Sequence, residues 1–239
     1  MGHWQERTEL LIGQEGIENL GNKHVLIIGV GGVGGFAAEA IARAGVGRIT
    51  IVDGDVVDVS NRNRQIAALV STENMSKVKV IGDRIKDINP DVQLETKQIY
   101  LDGENIATLL DEHAYDYVVE CIDTLTPKVT LLTTCIDKKI KVISSMGAGG
   151  RMDPTQTKVA RLRDTYNCLL AKKVRKMVGT QRYRRKIKVV FSPEVIDKSK
   201  VEEVKGVKHK RSTIGTISYM PAVFGLTVAS VALRDLLDS

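Results

Sequence analysis

The chain has 239 residues, of which 43% are hydrophobic and 27% are charged, with 21 Gly and 5 Pro. This composition is typical of a globular protein with enough apolar residues for a full core, and it excludes disordered, collagen-like and disulfide-rich classes. The net charge of +6 is unevenly spread. Residues 1–150 carry 15 Lys and Arg against 21 Asp and Glu, whereas residues 151–239 carry 20 against 8. The C-terminal part is therefore predicted to contact a polyanion.

Cysteine usage and hydropathy bear on the cellular location. Cys121, Cys135 and Cys168 form no CxxC pair, which excludes a four-thiolate zinc site and indicates a reducing, cytoplasmic environment. The first 25 residues lack the apolar core of a secretory signal. Residues 212–233 are uncharged and long enough to cross a bilayer, but they contain six Ser or Thr and a proline. We expect a buried helix at 221–237 and no membrane contact.

Short β-rich runs alternate with longer helical patterns between residues 24 and 145. Strands are predicted at 24–28, 48–52, 92–98, 115–120 and 141–145, and helices at 33–44, 76–88, 104–112 and 127–138. This alternation is typical of right-handed βαβ units and predicts an α/β, Rossmann-like, doubly wound and mostly parallel sheet. Thr126-Pro127 predicts a helix start, and Asn89-Pro90 predicts a helix end.

The pattern changes after residue 145. Residues 1–150, with an N-terminal helix, are the predicted nucleotide-binding core, and residues 151–239 are a basic C-terminal extension packed on the same domain. Within the extension we predict a basic helix at 169–178, a strand at 187–191, a polar charged stretch at 197–212 and a final apolar helix.

A glycine-rich loop follows the first predicted strand. Its glycines, Gly29, Gly31, Gly32 and Gly34, precede a helix whose N-terminal N–H groups can receive phosphate. Nineteen residues after Gly34, the second strand ends at Asp53, the spacing expected for a carboxylate that binds ribose hydroxyls. The context predicts nucleotide binding; the alternative is a turn that packs a strand on a helix.

Charged residues further along the chain favour nucleotidyl transfer over hydride transfer. Charge that develops on the phosphates must be met by cations, which Arg64 and Lys77 can supply. Asp123, after the fourth strand, can supply a carboxylate for magnesium. Taken singly, these residues have simpler explanations: a solvated arginine, a surface lysine and a helix cap.

The series GxGGxG, DxD, SNxxRQ, a helix lysine and an aspartate after the fourth strand resembles the adenylyltransferases related to ubiquitin-activating enzymes, including members of the thiamine and molybdopterin pathways. The resemblance implies binding of ATP and Mg²⁺ and formation of an acyl adenylate on a substrate carboxylate. The implied catalytic residues are Arg7, Arg64, Lys77 and Asp123, with Asp123 as the metal ligand. The implied nucleotide-binding residues are the four loop glycines, Asp53, Asp55, Ser60, Asn61, Arg64, Gln65, Lys77 and Asp123. Arg7 matches an arginine that enters the partner subunit's ATP site, which implies a homodimer.

Five further runs resemble the tRNA threonylcarbamoyladenosine dehydratases within that superfamily. They are residues 61–66 (NRNRQI), 88–90 (INP), 147–150 (GAGG), 153–155 (DPT) and 189–192 (VVFS). This resemblance implies ATP-dependent cyclisation of the threonylcarbamoyl group beside the tRNA anticodon, through adenylation of the threonine carboxylate. Ring closure within one molecule needs no enzyme nucleophile, and a bound monovalent cation is a further expectation of the resemblance. Asn167-Cys168 departs from the Asp-Pro expected there.

The basic extension supplies the predicted tRNA-binding residues. They are Lys172, Lys173, Arg175, Lys176, Arg182, Arg184, Arg185 and Lys186, with Tyr183 available to stack on a base. A solvated helix face is the alternative. Two other functions remain open at this point: an adenylyltransferase acting on a ubiquitin-like sulfur-carrier protein, with sulfur-mobilisation partners, and a nucleotide-sensing module without catalysis.

Overall fold

The structure, a computed structural model, describes residues 3–197, 199, 201–203 and 212–239. The strands described are β1 (His24–Ile28), β2 (Arg48–Val52), β3 (Gln93–Lys97), β4 (Tyr117–Glu120), β5 (Lys141–Ser145), β6 (Lys158–Arg161), β7 (Lys188–Phe191), β8 (Val201–Glu203) and β9 (Ser212–Ile214). The helices described are α1 (Glu6–Gly21), α2 (Gly34–Arg43), α3 (Lys77–Ile88), α4 (Asn105–Asp111), α5 (Leu125–Asp137), α6 (Leu169–Met177), α7 (Gln181–Lys186) and α8 (Tyr219–Leu237).

Seven strands form one sheet in the order β3-β2-β1-β4-β5-β7-β6. All neighbouring strands run parallel except β6, which is antiparallel to β7 at the edge. The predicted doubly wound, mostly parallel sheet is therefore confirmed. The chain order reverses between β1 and β4, and the carboxyl ends of strands at such a point open into the crevice where α/β proteins bind ligands.

Helices cover both faces of this sheet. Alternate residues of a strand point to opposite faces, so Ile27 and Val119 belong to a core shared with α2, α3 and α8. Leu26 and Val118 belong to the other core, shared with α4, α5 and α6. The central strands are consequently buried on both sides, which explains why their sequences are continuous apolar runs.

The final helix α8 is a central part of the first core. It lies so close to the start of α2 that a Cβ at Gly225 would come within 2.3 Å of the Val33 carbonyl oxygen. Phe224, Val228 and Ala232 are fully buried. By length and composition this helix passes the test for a membrane span, but half of its most apolar window is buried inside the protein. The structure uses it as a core helix.

Three sequence predictions need correction or extension. Helix α5 begins at Leu125, with Thr124 as N-cap, so the predicted start at Thr126-Pro127 was wrong. Pro127 lies instead in the first turn, where a missing N–H leaves no helical hydrogen bond unmade. Strand β6 and helix α7 were not predicted, and β6 and β7 extend the core sheet. Of the predicted polar stretch 197–212, residues 198, 200 and 204–211 lie outside the described residues.

Candidate active site

The predicted nucleotide-site residues lie on loops at the carboxyl ends of β1, β2 and β4. Residues 29–34 follow β1, Asp53 follows β2, and Asp123 lies three residues beyond the end of β4. Because β1 pairs with both β2 and β4, these three loops are neighbours. They surround the crevice at which the chain order of the sheet reverses.

The glycine loop is packed too tightly to accept side chains at two positions. Gly29 has φ +82°, and a Cβ there would lie 2.9 Å from the Cys121 carbonyl oxygen. A Cβ at Gly34 would lie 1.7 Å from the Gly29 carbonyl oxygen. This packing brings the N-terminus of α2 directly behind the loop. No side chain caps α2, so its first N–H groups can receive a phosphate.

Asp53 joins the glycine loop to the loop after β2. Its Oδ2 accepts a hydrogen bond from the Val30 N–H and its Oδ1 accepts one from the Asp55 N–H, both at 2.8 Å. Burial raises the pKa of Asp53, and the nearby Lys77 ammonium partly opposes that shift. Each carboxylate oxygen retains a further acceptor site, so the side chain can hold both loops and still accept ribose hydroxyls.

Lys77 and Asp55 form an ion pair beside Asp53. Lys77 Nζ donates to Asp55 Oδ2 at 2.7 Å, and the lysine side chain is 6% exposed while the Asp55 side chain is 51% exposed. Lys77 is the first residue of α3 and is buried there. The alternative explanation, that it is an ordinary surface lysine, therefore does not apply. An ammonium has three donors, so Lys77 can bind Asp55 and a phosphate oxygen together.

Tyr100 belongs to the same cluster and was not found from the sequence. Its hydroxyl donates to Asp55 Oδ1 at 3.0 Å, and this hydrogen bond raises the pKa of Tyr100. Its ring lies against Gly54, where a Cβ would come within 2.6 Å of ring atoms. No motif could have shown this contact, because Tyr100 follows β3 and reaches the β2 loop only in the folded protein.

The loop from Asp58 to Gln65 is held by its own side chains. Asp58 and Asn61 form a capping box around a 3-10 turn that includes Ser60. Arg64 Nη1 donates to the Ser60 carbonyl at 2.9 Å and to Asn63 Oδ1 at 2.8 Å. Gln65 lies next to Gly31, and its buried Oε1 has no hydrogen-bond partner among the residues that the structure describes. The loop therefore places an arginine and an unsatisfied amide beside the glycine loop.

Asp123 is exposed on the loop after β4, above a buried ionic cluster that the sequence reading missed. Glu120 Oε2 accepts hydrogen bonds from Lys128 Nζ and Ser144 Oγ, each at 2.5 Å, and Glu120 Oε1 accepts one from the Ile122 N–H at 2.7 Å. The Glu120 and Lys128 side chains are both 0% exposed. This cluster fixes the backbone that carries Asp123.

Two features of the sequence could have revealed that cluster. Glu120 ends an otherwise apolar strand, and Lys128 lies on the same helical face as the buried Leu131 and Leu132. A buried charge of each sign on adjacent elements suggests an ion pair, because either charge alone would be very costly.

Two places in the described structure have side chains that could bind a metal ion. One exposed carboxylate at Asp123 suits magnesium, which commonly takes one or two protein carboxylates and completes its shell with phosphate oxygens and water. Among the described residues, the one cluster with metal-ligand spacing is Glu95, Glu112 and His113. There Lys97 Nζ pairs with Glu95 at 2.9 Å and with Glu112 at 2.8 Å, so its ammonium already supplies the positive charge.

The cysteines are placed unfavourably for nucleophilic chemistry. Burial raises the pKa of the Cys121 thiol well above its ordinary value and that of Cys135 to about 12. Cys168 is buried and is the N-cap residue of α6. A reactive cysteine needs a lowered pKa, so Cys121 and Cys135 do not suit a thioester mechanism.

Arg7 lies near the start of α1, on the exposed surface. Two nearby apolar side chains on the same helix, Leu10 and Leu11, are each 84% exposed. Gln5, two residues before Arg7, lies against Gly45, just before the start of β2. The start of α1 is therefore near the amino end of β2, whereas the loops with Asp53 and Asp123 follow the carboxyl ends of their strands.

The predicted tRNA-binding residues divide into two groups. Arg175 donates to the Thr165 carbonyl at 2.7 Å, Arg184 donates to the Arg175 carbonyl at 3.0 Å, and Arg182 pairs with Asp137 at 2.9 Å. The remaining five are exposed and form no ion pair with any residue that the structure describes: Lys172, Lys173, Lys176, Arg185 and Lys186. Tyr183 also donates to Asp137, and Arg182 lies over its ring.

The arrangement is suited to nucleotidyl transfer. The glycine loop and α2 can hold phosphates, Asp53 can hold the ribose, and Arg64 and Lys77 supply positive charge around the same loops. The described residues around these loops include no thiol suited to covalent transfer, so a second step would use a nucleophile carried by the substrate.

Comparisons with known proteins agree with this chemistry. The profile of the ThiF family matches residues 5–239. A tRNA threonylcarbamoyladenosine dehydratase of Bacillus subtilis is 37% identical over 99% of this chain and 96% of that protein. The crystal structure of the Escherichia coli tRNA N6-threonylcarbamoyladenosine dehydratase in complex with ATP superposes with a TM-score of 0.88 at 32% identity, covering 98% of this chain and 95% of that one. The molybdopterin-synthase adenylyltransferase of Escherichia coli is 35% identical, but over 58% of this chain.

Proposed function

The chain belongs to the ThiF family, and from that premise we propose that it is an ATP-dependent tRNA threonylcarbamoyladenosine dehydratase. The observation that carries the proposal is similarity along nearly the full length to a dehydratase of that name. The similarity to a molybdopterin-pathway adenylyltransferase covers 58% of this chain. The nearly complete coverage by the dehydratase therefore favours tRNA over a sulfur-carrier protein as the substrate.

The first step activates the threonine carboxylate of the modified adenosine. A carboxylate oxygen attacks the α-phosphorus of ATP, the bond from that phosphorus to the bridging oxygen breaks, and pyrophosphate leaves. Arg64 and Lys77 balance the charge that builds up on the phosphates. Asp123 would hold magnesium, which would neutralise phosphate charge when bound.

The second step closes the ring. A nitrogen or oxygen of the same modified base attacks the activated carbonyl, AMP leaves with the former carboxylate oxygen, and the nucleophile loses its proton. The net change in the tRNA is the loss of one water molecule. Because attack occurs within one molecule, a high effective concentration replaces an enzyme nucleophile.

The assembly and location of the protein are parts of the same proposal. We place it in the cytoplasm as a homodimer of the 26.2 kDa chain, in which Arg7 reaches the ATP site of the partner subunit. The exposed Leu10 and Leu11 beside Arg7 support an interface there. A monomer mass in sedimentation equilibrium would contradict the dimer. A monovalent cation remains a family expectation to which we assign no residues.

The decisive experiment incubates the purified protein with ATP, magnesium and tRNA that carries threonylcarbamoyladenosine. Mass spectrometry of the digested tRNA should show a nucleoside lighter by one water molecule, together with release of AMP and pyrophosphate. The matched control is the same tRNA without the modification, which should give neither. Absence of the lighter nucleoside, with pyrophosphate exchange driven instead by a sulfur-carrier protein, would establish the adenylyltransferase alternative.

A further inference from the structure

Arg151 is a buried cation. Its side chain is 1% exposed and is the largest fully buried side chain that the structure describes. Within the described part of the chain its Nε and Nη1 have no hydrogen-bond partner, and its Nη2 donates to the Asn167 carbonyl at 3.3 Å. It forms no ion pair among the residues that the structure describes. A buried charge in this condition is costly, so an anion that paired with it would be strongly favoured.

The N-terminus of α6 adds a second source of positive potential at the same place. The Asn167 carbonyl that Arg151 contacts lies one residue before Cys168, the N-cap of α6. No side chain caps this helix, so its first N–H groups and its dipole also favour an anion. The loop before Arg151 packs against this turn, with Gly147 next to Leu170.

Arg151 lies on the loop after β5, at the same edge of the sheet as the loops after β1, β2 and β4. Its loop follows β5, which pairs with β4, and neighbouring strands are about 4.8 Å apart. The chain between β9 and the start of α8 connects this loop to the nucleotide loops. Gly149 lies against Thr216, the Asn63 side chain donates to the Thr216 carbonyl at 3.0 Å, and Gly32 lies against Pro221.

We propose that Arg151 and the first turn of α6 form a binding site for the carboxylate of the substrate, which is the group that the proposed function activates. A planar guanidinium matches the two oxygens of a carboxylate. The glycine loop, which would hold the phosphates of ATP, follows β1, two strands away from β5. Pairing with Arg151 orients the carboxylate and lowers its repulsion from the α-phosphate. For the substrate carboxylate to reach Arg151, the residues packed on Gly150, among them Ile196 and Ile214, must shift.

The test replaces Arg151 with a neutral side chain of similar length, Arg151→Met. Because the native charge is unpaired, the melting temperature of the free variant should equal or exceed that of the parent. The KM for tRNA carrying threonylcarbamoyladenosine should rise about tenfold to a hundredfold, the range for a hydrogen-bonded charge. The affinity for ATP should not change. Arg163→Met, which alters an exposed arginine paired only with its neighbour Asp164, is the matched control and should change neither quantity.

A direct binding measurement identifies the anion. The threonylcarbamoyladenosine nucleoside should stabilise the parent protein against heat and should not stabilise Arg151→Met, while its methyl ester should stabilise neither. Equal stabilisation of the parent by the methyl ester would overturn the carboxylate assignment. A destabilised Arg151→Met with unchanged KM would show a structural role, and if that variant does not fold, Arg151→Lys must show the raised KM. A parent protein that dehydrates no tRNA would refute the proposed function, whereas an active parent with unchanged KM in the variants refutes this site alone.

Discussion

Asp53 stabilises the fold and takes part in the proposed chemistry with the same carboxylate. Its two hydrogen bonds from the Val30 and Asp55 N–H groups fix the glycine loop relative to β2. The remaining lone pairs can accept hydrogen bonds from the ribose hydroxyls of a nucleotide. The Lys77 ammonium lies close enough to oppose the effect of burial on the pKa of Asp53, so binding and protonation at these residues are coupled.

The role of single charged residues can be tested at Arg64 and Asp123. Arg64→Ala and Asp123→Ala should each lower the rate of tRNA dehydration about 100-fold or more, because the proposed role of Arg64 is to neutralise phosphate charge and that of Asp123 is to hold magnesium. Both variants should keep their affinity for tRNA, measured by filter binding. Neither residue is in the core, so the melting temperature should change little.

Arg62→Ala is the control for Arg64→Ala. Arg62 is exposed two residues before Arg64, so its loss changes the net charge equally without removing the contacts to Ser60 and Asn63. Full activity of Arg64→Ala, or an equal loss in Arg62→Ala, would mean that the loop acts only through its general charge.

Residues that act within a local motif were predictable, whereas those that act across elements were not. The glycine loop and Asp53 follow from a strand, a turn and a fixed spacing, which depend on neighbouring residues alone. Glu120 and Lys128 are eight positions apart, yet they meet only because α5 packs on β4 and β5. In the sequence, nothing distinguishes Arg151 from the other basic residues. The structure shows that it is buried and that its Nε and Nη1 have no hydrogen-bond partner among the described residues.

At the scale of elements, one carboxylate on α8 links this helix to two strands of the sheet, β4 and β7. Asp235 accepts hydrogen bonds from Tyr117 on β4 at 2.8 Å and from Lys188 on β7 at 2.6 Å. Partial burial opposes ionisation, but these hydrogen bonds outweigh it and hold the pKa of Asp235 below its ordinary value. The carboxylate therefore stabilises the folded state when it is ionised.

Asp235→Asn should lower the free energy of unfolding at pH 7 by about 1–3 kcal/mol, the range for leaving a charged partner unsatisfied. A lowered folded-state pKa gives stability that is present above the ordinary pKa of about 3.9 and is lost as the pH falls through the folded-state value. Urea unfolding of parent and variant should thus differ most at pH 7 and converge below about pH 4. Asp238→Asn, exposed at the end of α8, should show no such difference, and a pH-independent gap for Asp235→Asn would contradict the account.

The elements themselves were predicted best where burial and periodicity coincide. The predicted boundaries of β1, β2 and β5 match the structure, because these strands are bounded by turns and are apolar inside. Strand β6 was missed since it lies at the sheet edge, where three of its four residues are exposed and the apolar pattern is absent. The six residues of α7 were missed because a short basic segment carries no helical periodicity.

At the scale of the whole molecule, the charge difference between the two parts of the sequence can be located on the structure. Residues 1–150 carry 21 Asp and Glu against 15 Lys and Arg. Helices α6 and α7 lie on the opposite face of the sheet from α8, and they carry the exposed cations that form no ion pair with a described residue. The three arginines that hold local structure there, Arg175, Arg182 and Arg184, are less available to RNA than the lysines beside them. Four of the five exposed cations without an ion pair to a described residue, Lys172, Lys173, Lys176 and Arg185, are therefore the residues chosen to test the proposed tRNA surface.

Changing those four residues to alanine should weaken tRNA binding and make it less sensitive to salt. Each cation that contacts a phosphate releases counterions, so the slope of log K against log salt should become shallower by about 3. The control changes four exposed cations within residues 1–150 to alanine, and it alters the net charge equally: Arg43, Arg48, Lys79 and Lys139. Its slope should stay near that of the parent. If both quadruple variants flatten the slope to the same extent, tRNA responds to the overall charge of the protein and the α6–α7 surface is not its binding site.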